Sequence, residues 1–315
     1  MSYNNARTSN PLQRPLVLML LATMCCMLWG SAFPFIKIGY ALQNIASSDA
    51  PSQILFAGIR FFAAGILTIL AGSILQKKPL VPSAKSWRKI IPLGMVQTVA
   101  QYVFFYIGLA HTDGTRASII NGTNVFFALL VSCFIFKYEK FTAPKLIGCI
   151  VGFAGIVIIN IGGASASGGS ILGDVCIICS VMAYAFSSSM IKSYSKSENP
   201  VMLSGWQFAF GGAVMIAASL ACGGRIEFSS WQSAAVVTEL ALVSAGAYTV
   251  WGLLLKYNDV SKVAVFGCLT PIFGFLMSAL LLDETAALSW QSISSLALVC
   301  LGILTVNRME YKSNK

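Results

Sequence analysis

Charge is what this sequence has least of. Of its 315 residues only 10% are Asp, Glu, Lys or Arg, while 57% are hydrophobic. A soluble domain carries about 25% charged residues. There is too little polar surface here to coat a soluble particle, so lipid is the natural solvent for most of the chain. Histidine is scarcer still, with His111 the only one. Intramembrane chemistry needs clustered nucleophiles, bases or metal ligands. The sequence has no paired mid-span acids and no G-x-S-x-G, H-E-x-x-H or phosphate-binding loop. We therefore expect no enzyme, no cofactor and no metal. No ring of charge marks a channel, and no extramembrane stretch is large enough for a receptor or scaffold domain.

The nine cysteines are odd in number. Cys25, Cys26, Cys133, Cys149, Cys176, Cys179, Cys268 and Cys300 lie inside apolar runs and read as packing residues rather than a disulfide framework. The net charge of +10 does not point to nucleic acid, because the positives sit in short clusters between apolar runs. Cytoplasmic loops of membrane proteins have this pattern.

What is present is apolar runs of membrane length. A bilayer core of about 30 Å needs about 20 residues of helix. Ten candidates cover 16–40, 51–74, 90–109, 115–136, 142–161, 171–192, 200–221, 233–255, 260–282 and 288–307. The first follows Arg7 and Arg14 as a signal peptide would, but it continues to Tyr40 and is too long for a signal core. The expected fold is an all-α integral membrane protein. It has a tail over 1–15, five helices over 16–161, a Gly/Ser linker over 162–170, five helices over 171–307 and a tail over 308–315. With the N-terminus cytoplasmic, the inner segments hold seventeen Lys and Arg residues and the outer ones only Arg116 and Arg225. That bias sets an orientation with both termini cytoplasmic in a plasma (inner) membrane.

The two halves share order. Trp29-Gly-Ser-Ala-Phe-Pro-Phe-Ile-Lys37 falls over Tyr184-Ala-Phe-Ser-Ser-Ser-Met-Ile-Lys192, Phe61–Gly65 over Phe208–Gly212, and Glu139 over Glu284. Five spans per half put the second half into the membrane inverted, an organisation that places a transporter's substrate site between the repeats.

These residues also resemble a known family. Trp29-Gly-Ser-Ala-Phe-x-x-Ile-Lys37 is similar to the opening of EamA-type members of the drug/metabolite transporter superfamily, as are Leu172-Gly-Asp174, Leu269-Thr-Pro271, Leu281-Leu-Asp-Glu284 and the closing Gly302-Ile-Leu. The resemblance covers nearly the whole chain. It implies ten helices, cytoplasmic termini, and export or exchange of amino acids, other metabolites or drug-like compounds. Where that family usually has an apolar residue early in span eight, this sequence has Glu239.

A carrier needs a polar or aromatic cavity at mid-depth. The aromatic candidates are Trp29, Tyr184, Trp206, Tyr248 and Trp251; Trp87, Trp231 and Trp290 fall at span ends and read as interfacial anchors. Gln97 and Gln101, with Tyr102 and Tyr106 beside them, occupy span three, while Asn121 and Asn124 share one face of span four. Such amides either meet a substrate or tie helices together. Thr270-Pro271 predicts a kink in span nine; the matching Val125 and Phe126 of span four predict none there. Lys37 and Lys192 occupy equivalent positions, with gating or snorkelling as the alternatives. Arg60 and Glu239 lie at matched depth, Arg60 about 13 Å from the outer end of span two. They either pair with each other or each face a watery vestibule. No carboxylate sits at mid-membrane, which weakens proton coupling without excluding it. The expected partners are a small-molecule substrate and the lipid bilayer. The oligomeric state is not legible.

Overall fold

The computed structural model describes residues 11–138, 141–160, 170–228, 230–258, 263, 265–284 and 289–313, with backbone alone at 160, 255, 256, 265 and 307–313. Glu139, Lys140, Lys262 and the linker over 162–170 apart from Ser170 lie outside the described residues. Among the described residues, every regular element is helical.

Among the described residues, seven helices are long and apolar enough to cross a membrane. We label them with their shorter companions in chain order: α1 Pro15–Leu42, α2 Ala50–Leu75, α3 Ala84–Ala110, α4 Gly114–Ile135, α5 Ala143–Asn160, α6 Ile171–Tyr194, α7 Pro200–Ala221, α8 Trp231–Tyr257, α9 Leu269–Leu281 and α10 Trp290–Ser313. Helices are the natural form of such runs, because hydrocarbon offers no partner for an open N–H or C=O. Polar residues end them. Asp49 accepts from Ser52 N–H at 3.1 Å. Ser83, Ser170, Asn199, Ser230 and Ser289 cap α3, α6, α7, α8 and α10 in the same way. Pro15, Pro51 and Pro200 lie in first turns, where a missing N–H breaks no bond.

The two most extensive packings run α2 along α7 and α5 along α10. Around them α1 packs on α8 and α9, α6 on α3 and α4, α2 on α8, α3 on α7, and α4 crosses α9. Glycines set the closest approaches. A Cβ on Gly65 would lie 2.7 Å from the Gly205 carbonyl oxygen and 2.8 Å from Ala209 Cα. A Cβ on Gly212 would lie 2.8 Å from the Gly58 carbonyl oxygen and 2.8 Å from Phe62 Cα. Between α5 and α10 the same happens: a Cβ on Gly155 would meet Ser295 O at 2.8 Å, and one on Gly302 would meet Gly148 O at 2.6 Å. Neither crossing has room for a side chain, and small residues are how membrane helices achieve such contact.

Three helices are irregular. In α3, Gly94–Ala100 is π-helical. In α4, the α-helix stops at Asn121, resumes at Asn124 and turns π-helical at Val131. Before α9, Val265–Cys268 is a 3₁₀ turn. Two expectations are corrected by this. Pro271 belongs to the first turn of α9, where its lost donor has no intrahelical partner, so it marks a helix start rather than a mid-helix kink. Nor is the interruption confined to that half. Thr123 precedes the restart in α4 and Cys268 precedes α9, and the two positions are related by the same spacing as Glu139 and Glu284.

Candidate functional site

An aromatic cluster is built from rings on α1, α2, α3, α7 and α8. The Trp29 ring stands edge-on to Tyr248 at 5.5 Å and to Trp251 at 5.1 Å. Tyr248 also meets Phe208 at 5.1 Å, and its hydroxyl lies 3.3 Å from that of Tyr102. Tyr102 in turn stacks on Phe61 at 3.9 Å. Tyr184, on α6, lies within electrostatic reach of both Tyr102 and Tyr248. Five expected residues, Trp29, Tyr102, Tyr184, Tyr248 and Trp251, are therefore brought together.

Polar atoms line the same helices without partners. Trp29 Nε1, Gln97 Oε1 and Gln101 Oε1 are buried and have no hydrogen bond among the described residues. Gln207, on α7, is fully buried; its Oε1 accepts from the Thr98 hydroxyl, while its Nε2 is unpartnered. Sequence reading passed over Gln207. The signal was available, because it stands 147 residues after Arg60, the separation that also relates Gly65 to Gly212. Thr270 lies in reach of Cys26, one turn before Trp29 on α1. Asn121 and Asn124 are half-buried and flank the break in α4. That break abuts the start of α9: a Cβ on Gly122 would lie 3.3 Å from Pro271 Cβ, and the Ser118 hydroxyl reaches the Pro271 carbonyl at 3.5 Å.

Trp206 stands apart from the cluster. Its indole N–H donates to the Leu80 carbonyl at 2.7 Å and its ring packs on Trp87 at 5.6 Å, at the start of α7.

Arg60 departs from both readings its depth allowed. It is buried, so it faces no vestibule, and among the described residues it makes no ion pair with Glu239. It donates instead to Tyr106 Oη at 2.7 Å, Ser244 Oγ at 3.0 Å and the Leu240 carbonyl at 3.1 Å. Successive residues on a helix point about 100° apart, and the α8 face it meets is that of Leu240 and Ser244. Glu239 projects beside it, with Oε2 buried and unpartnered.

Matched depth does pair a different couple. Arg116 and Asp174 occupy the first turns of α4 and α6 and form a buried bidentate bridge, with Nη2 to Oδ2 at 2.6 Å and Nε to Oδ1 at 3.0 Å. Arg116 also donates to Ile159 O at 2.9 Å. It is buried rather than facing water, at 1% exposed.

Next to this pair is a second network. Lys37 Nζ lies 3.2 Å from Glu284 Oε1, 3.8 Å from Asp113 Oδ1 and 3.0 Å from Thr112 O. Glu284 also accepts the Gly114 and Thr115 N–H groups at 3.0 and 2.9 Å, joining the end of α9 to the first turn of α4. Partial burial and the neighbouring Glu284 push the Asp113 carboxyl up to about 6. At the opposite end of the bundle, Lys192 lies over the Tyr138 ring at 5.3 Å. There Lys89 pairs with Glu198 at 3.0 Å, and hydrogen bonds from Lys89 and Ser86 hold the Glu198 carboxyl below its usual range.

The chain belongs to the EamA-like transporter family, whose model matches residues 16–161 and 171–308. It is similar to an uncharacterized transporter of Archaeoglobus fulgidus, 30% identical over 84% of this chain and 89% of that protein. It is also similar to a probable amino-acid metabolite efflux pump of Escherichia coli, 24% identical over 84% of this chain and 87% of that protein. A solved structure shares the fold with a TM-score of 0.65 at 15% identity, covering 95% of this chain and 99% of that one. The protein is thus a multi-pass membrane transporter and not an enzyme.

Proposed function

We propose that this protein exports small organic metabolites (amino acids, amines or drug-like compounds) by alternating access at a central cavity between two inverted five-helix repeats. The observation that carries this reading is the exchange symmetry of the packing. Adding 147 to Gly58, Phe62 and Gly65 yields Gly205, Ala209 and Gly212, and the contacts of Gly65 map onto those of Gly212. The same shift turns the Gly155–Ser295 contact into the Gly302–Gly148 contact. Exchanging the halves also maps α1·α8 onto α6·α3, α1·α9 onto α6·α4 and α2·α8 onto α7·α3. A two-fold axis in the membrane plane would account for all of these, and it would relate the interrupted α4 to α9, the kind of broken helices that form substrate sites in transporters.

The cavity chemistry suits a substrate with an aromatic or apolar body and a few polar groups. Rings from Trp29, Tyr248 and Trp251 offer faces for a flat or cationic moiety. Buried Gln97 and Gln101 oxygens and the Trp29 N–H offer acceptors and a donor, and an unsatisfied buried polar atom costs about 1–3 kcal/mol until it is met. The Lys37–Glu284 link would close the external end. Exchange of the halves carries Lys37 to Lys192 and Glu284 to Glu139, so a matching internal closure is expected beside Tyr138. Efflux is supported by the name of the Escherichia coli relative.

Uptake by proteoliposomes, or by inside-out vesicles, across a panel of amino acids, amines and aromatic metabolites, with and without a pH gradient, tests this. Saturable uptake of one class, weakened at least tenfold by Trp29→Ala or Tyr248→Ala, is the expected result. Gradient dependence would establish proton coupling. Silence from well-folded protein across the panel would leave a membrane scaffold or channel without carrier activity as the better reading.

A further inference from the structure

Glu239 belongs neither to the central cluster nor to any ion pair among the described residues. It lies eight residues into α8, about 12 Å from that helix's first residue. Glu239 forms part of the wall of a groove of about 620 Å³ along the outward face of α8, closed on one side by Leu28 of α1. The other walls are Trp231, Ala234, Ala235, Leu242 and Val243, with Thr238. Trp231 and Leu242 are 76% and 54% exposed, so the groove opens where the bilayer would lie. The Thr238 hydroxyl is spent on the Ala234 carbonyl and offers the groove no donor to the carboxylate. Arg60 lies within electrostatic reach of Glu239, and three of its N–H groups already bond the neutral oxygens of Leu240, Tyr106 and Ser244.

We propose that this groove is a lateral, membrane-facing binding site for lipophilic organic ammonium ions, with Glu239 as their counter-ion. A carboxylate against hydrocarbon is costly unless it is neutralised or paired. Glu239 is the ionisable residue among the groove's walls, and one of its two carboxylate oxygens, Oε2, is buried with no hydrogen bond among the described residues. The complement of that surface is one positive charge on an apolar body, with the Trp231 ring at the groove mouth able to stack on or face the cation. An anion or a zwitterion would find no cationic side chain among the groove's walls. The site is distinct from the central cavity, because Tyr248 and Trp251 lie more than two turns further along α8.

The test is equilibrium binding of radiolabelled decyltrimethylammonium to the full chain in nanodiscs of zwitterionic lipid, with empty discs subtracted. Wild type is expected to bind saturably, with E239D retaining binding and E239Q at least tenfold weaker. A235L, which fills the groove with apolar bulk at an exposed position, is expected to abolish binding while leaving the carboxylate in place; this variant carries the test should E239Q fail to fold. The uncharged carbon isostere of the probe is expected not to compete. Three results would overturn the proposal: no saturable binding to wild type, equal binding to E239Q, or equal displacement by the isostere, which would make the groove a seat for lipid acyl chains only.

Discussion

Substituting Gly65 by Ala asks the α2–α7 crossing to admit one methyl group. That methyl would stand 2.7 Å from the Gly205 oxygen and 2.8 Å from Ala209 Cα, both backbone atoms that no rotamer change can move. Ala209 N stands nearer still, so restoring an ordinary contact of roughly 3.4 Å requires the two helices to separate by about 1 Å along their closest approach. Overpacking of this kind costs about 1–3 kcal/mol, and rigid backbone on both sides puts it near the upper end. Better helix propensity returns about 1 kcal/mol, leaving a net loss of about 2 kcal/mol. Gly212→Ala meets the equivalent atoms at 2.8 Å and should cost the same. Once one methyl has parted the helices, the second meets less resistance, so the double variant should cost less than the sum. Among the described residues, no atom lies within 4 Å of a new Cβ on Gly246 or Gly252 of α8, and their Ala variants should be neutral or stabilising. The assay is thermal unfolding in detergent followed by tryptophan fluorescence. Equal melting of Gly65→Ala and Gly246→Ala would refute the packing argument. A large difference between Gly65→Ala and Gly212→Ala would refute the two-fold.

Three further outcomes are expected. Asp174→Asn strands the Arg116 guanidinium and should cost about 3–5 kcal/mol, whereas the double change to Met and Leu should recover much of it; thermal melts of the three proteins check this. Asp113 titrates near 6 in the folded protein, above its ordinary value of 3.8. The folded state therefore binds the proton more tightly than the unfolded chain, and the stabilisation is complete below the unfolded value and lost as pH rises through about 6. Melting temperature should fall between pH 4 and 6.5 in wild type, with a shallower dependence in Asp113→Asn. A double-mutant cycle should find Arg60 coupled more strongly to Tyr106→Phe than to Glu239→Gln, since Arg60 bonds the first and not the second. The reverse order would restore the Arg60–Glu239 pair.

Much of the fold was legible because hydropathy reports directly on lipid exposure. The apolar runs and the glycines of α5 lie where composition placed them. The α4 break was not legible: Asn121-Gly122-Thr123-Asn124 contains no proline, and helix propensity is too weak a prior to predict a discontinuity there. Of the charges, depth alone could not say which residues meet. Arg116 and Asp174 face each other, while Arg60 is turned by one residue's rotation toward Leu240 and Ser244 rather than Glu239. A buried guanidinium satisfied by a tyrosine, a serine and a carbonyl leaves no charge pattern to read. Trp29 and Trp206 both fall nearer mid-span by counting, but counting cannot give azimuth, and Trp206 faces Leu80 and Trp87 rather than Trp29.

Alternating access is tested most directly by locking one closure in an active protein. With exposed Cys222 replaced by Ser, cysteines at positions 37 and 284 can be bridged by a short reducible cross-linker in proteoliposomes loaded with the substrate found by the uptake panel. Flux should stop on cross-linking and return on reduction, while cysteine at either position alone stays insensitive. Undiminished flux through fully cross-linked protein would contradict the account.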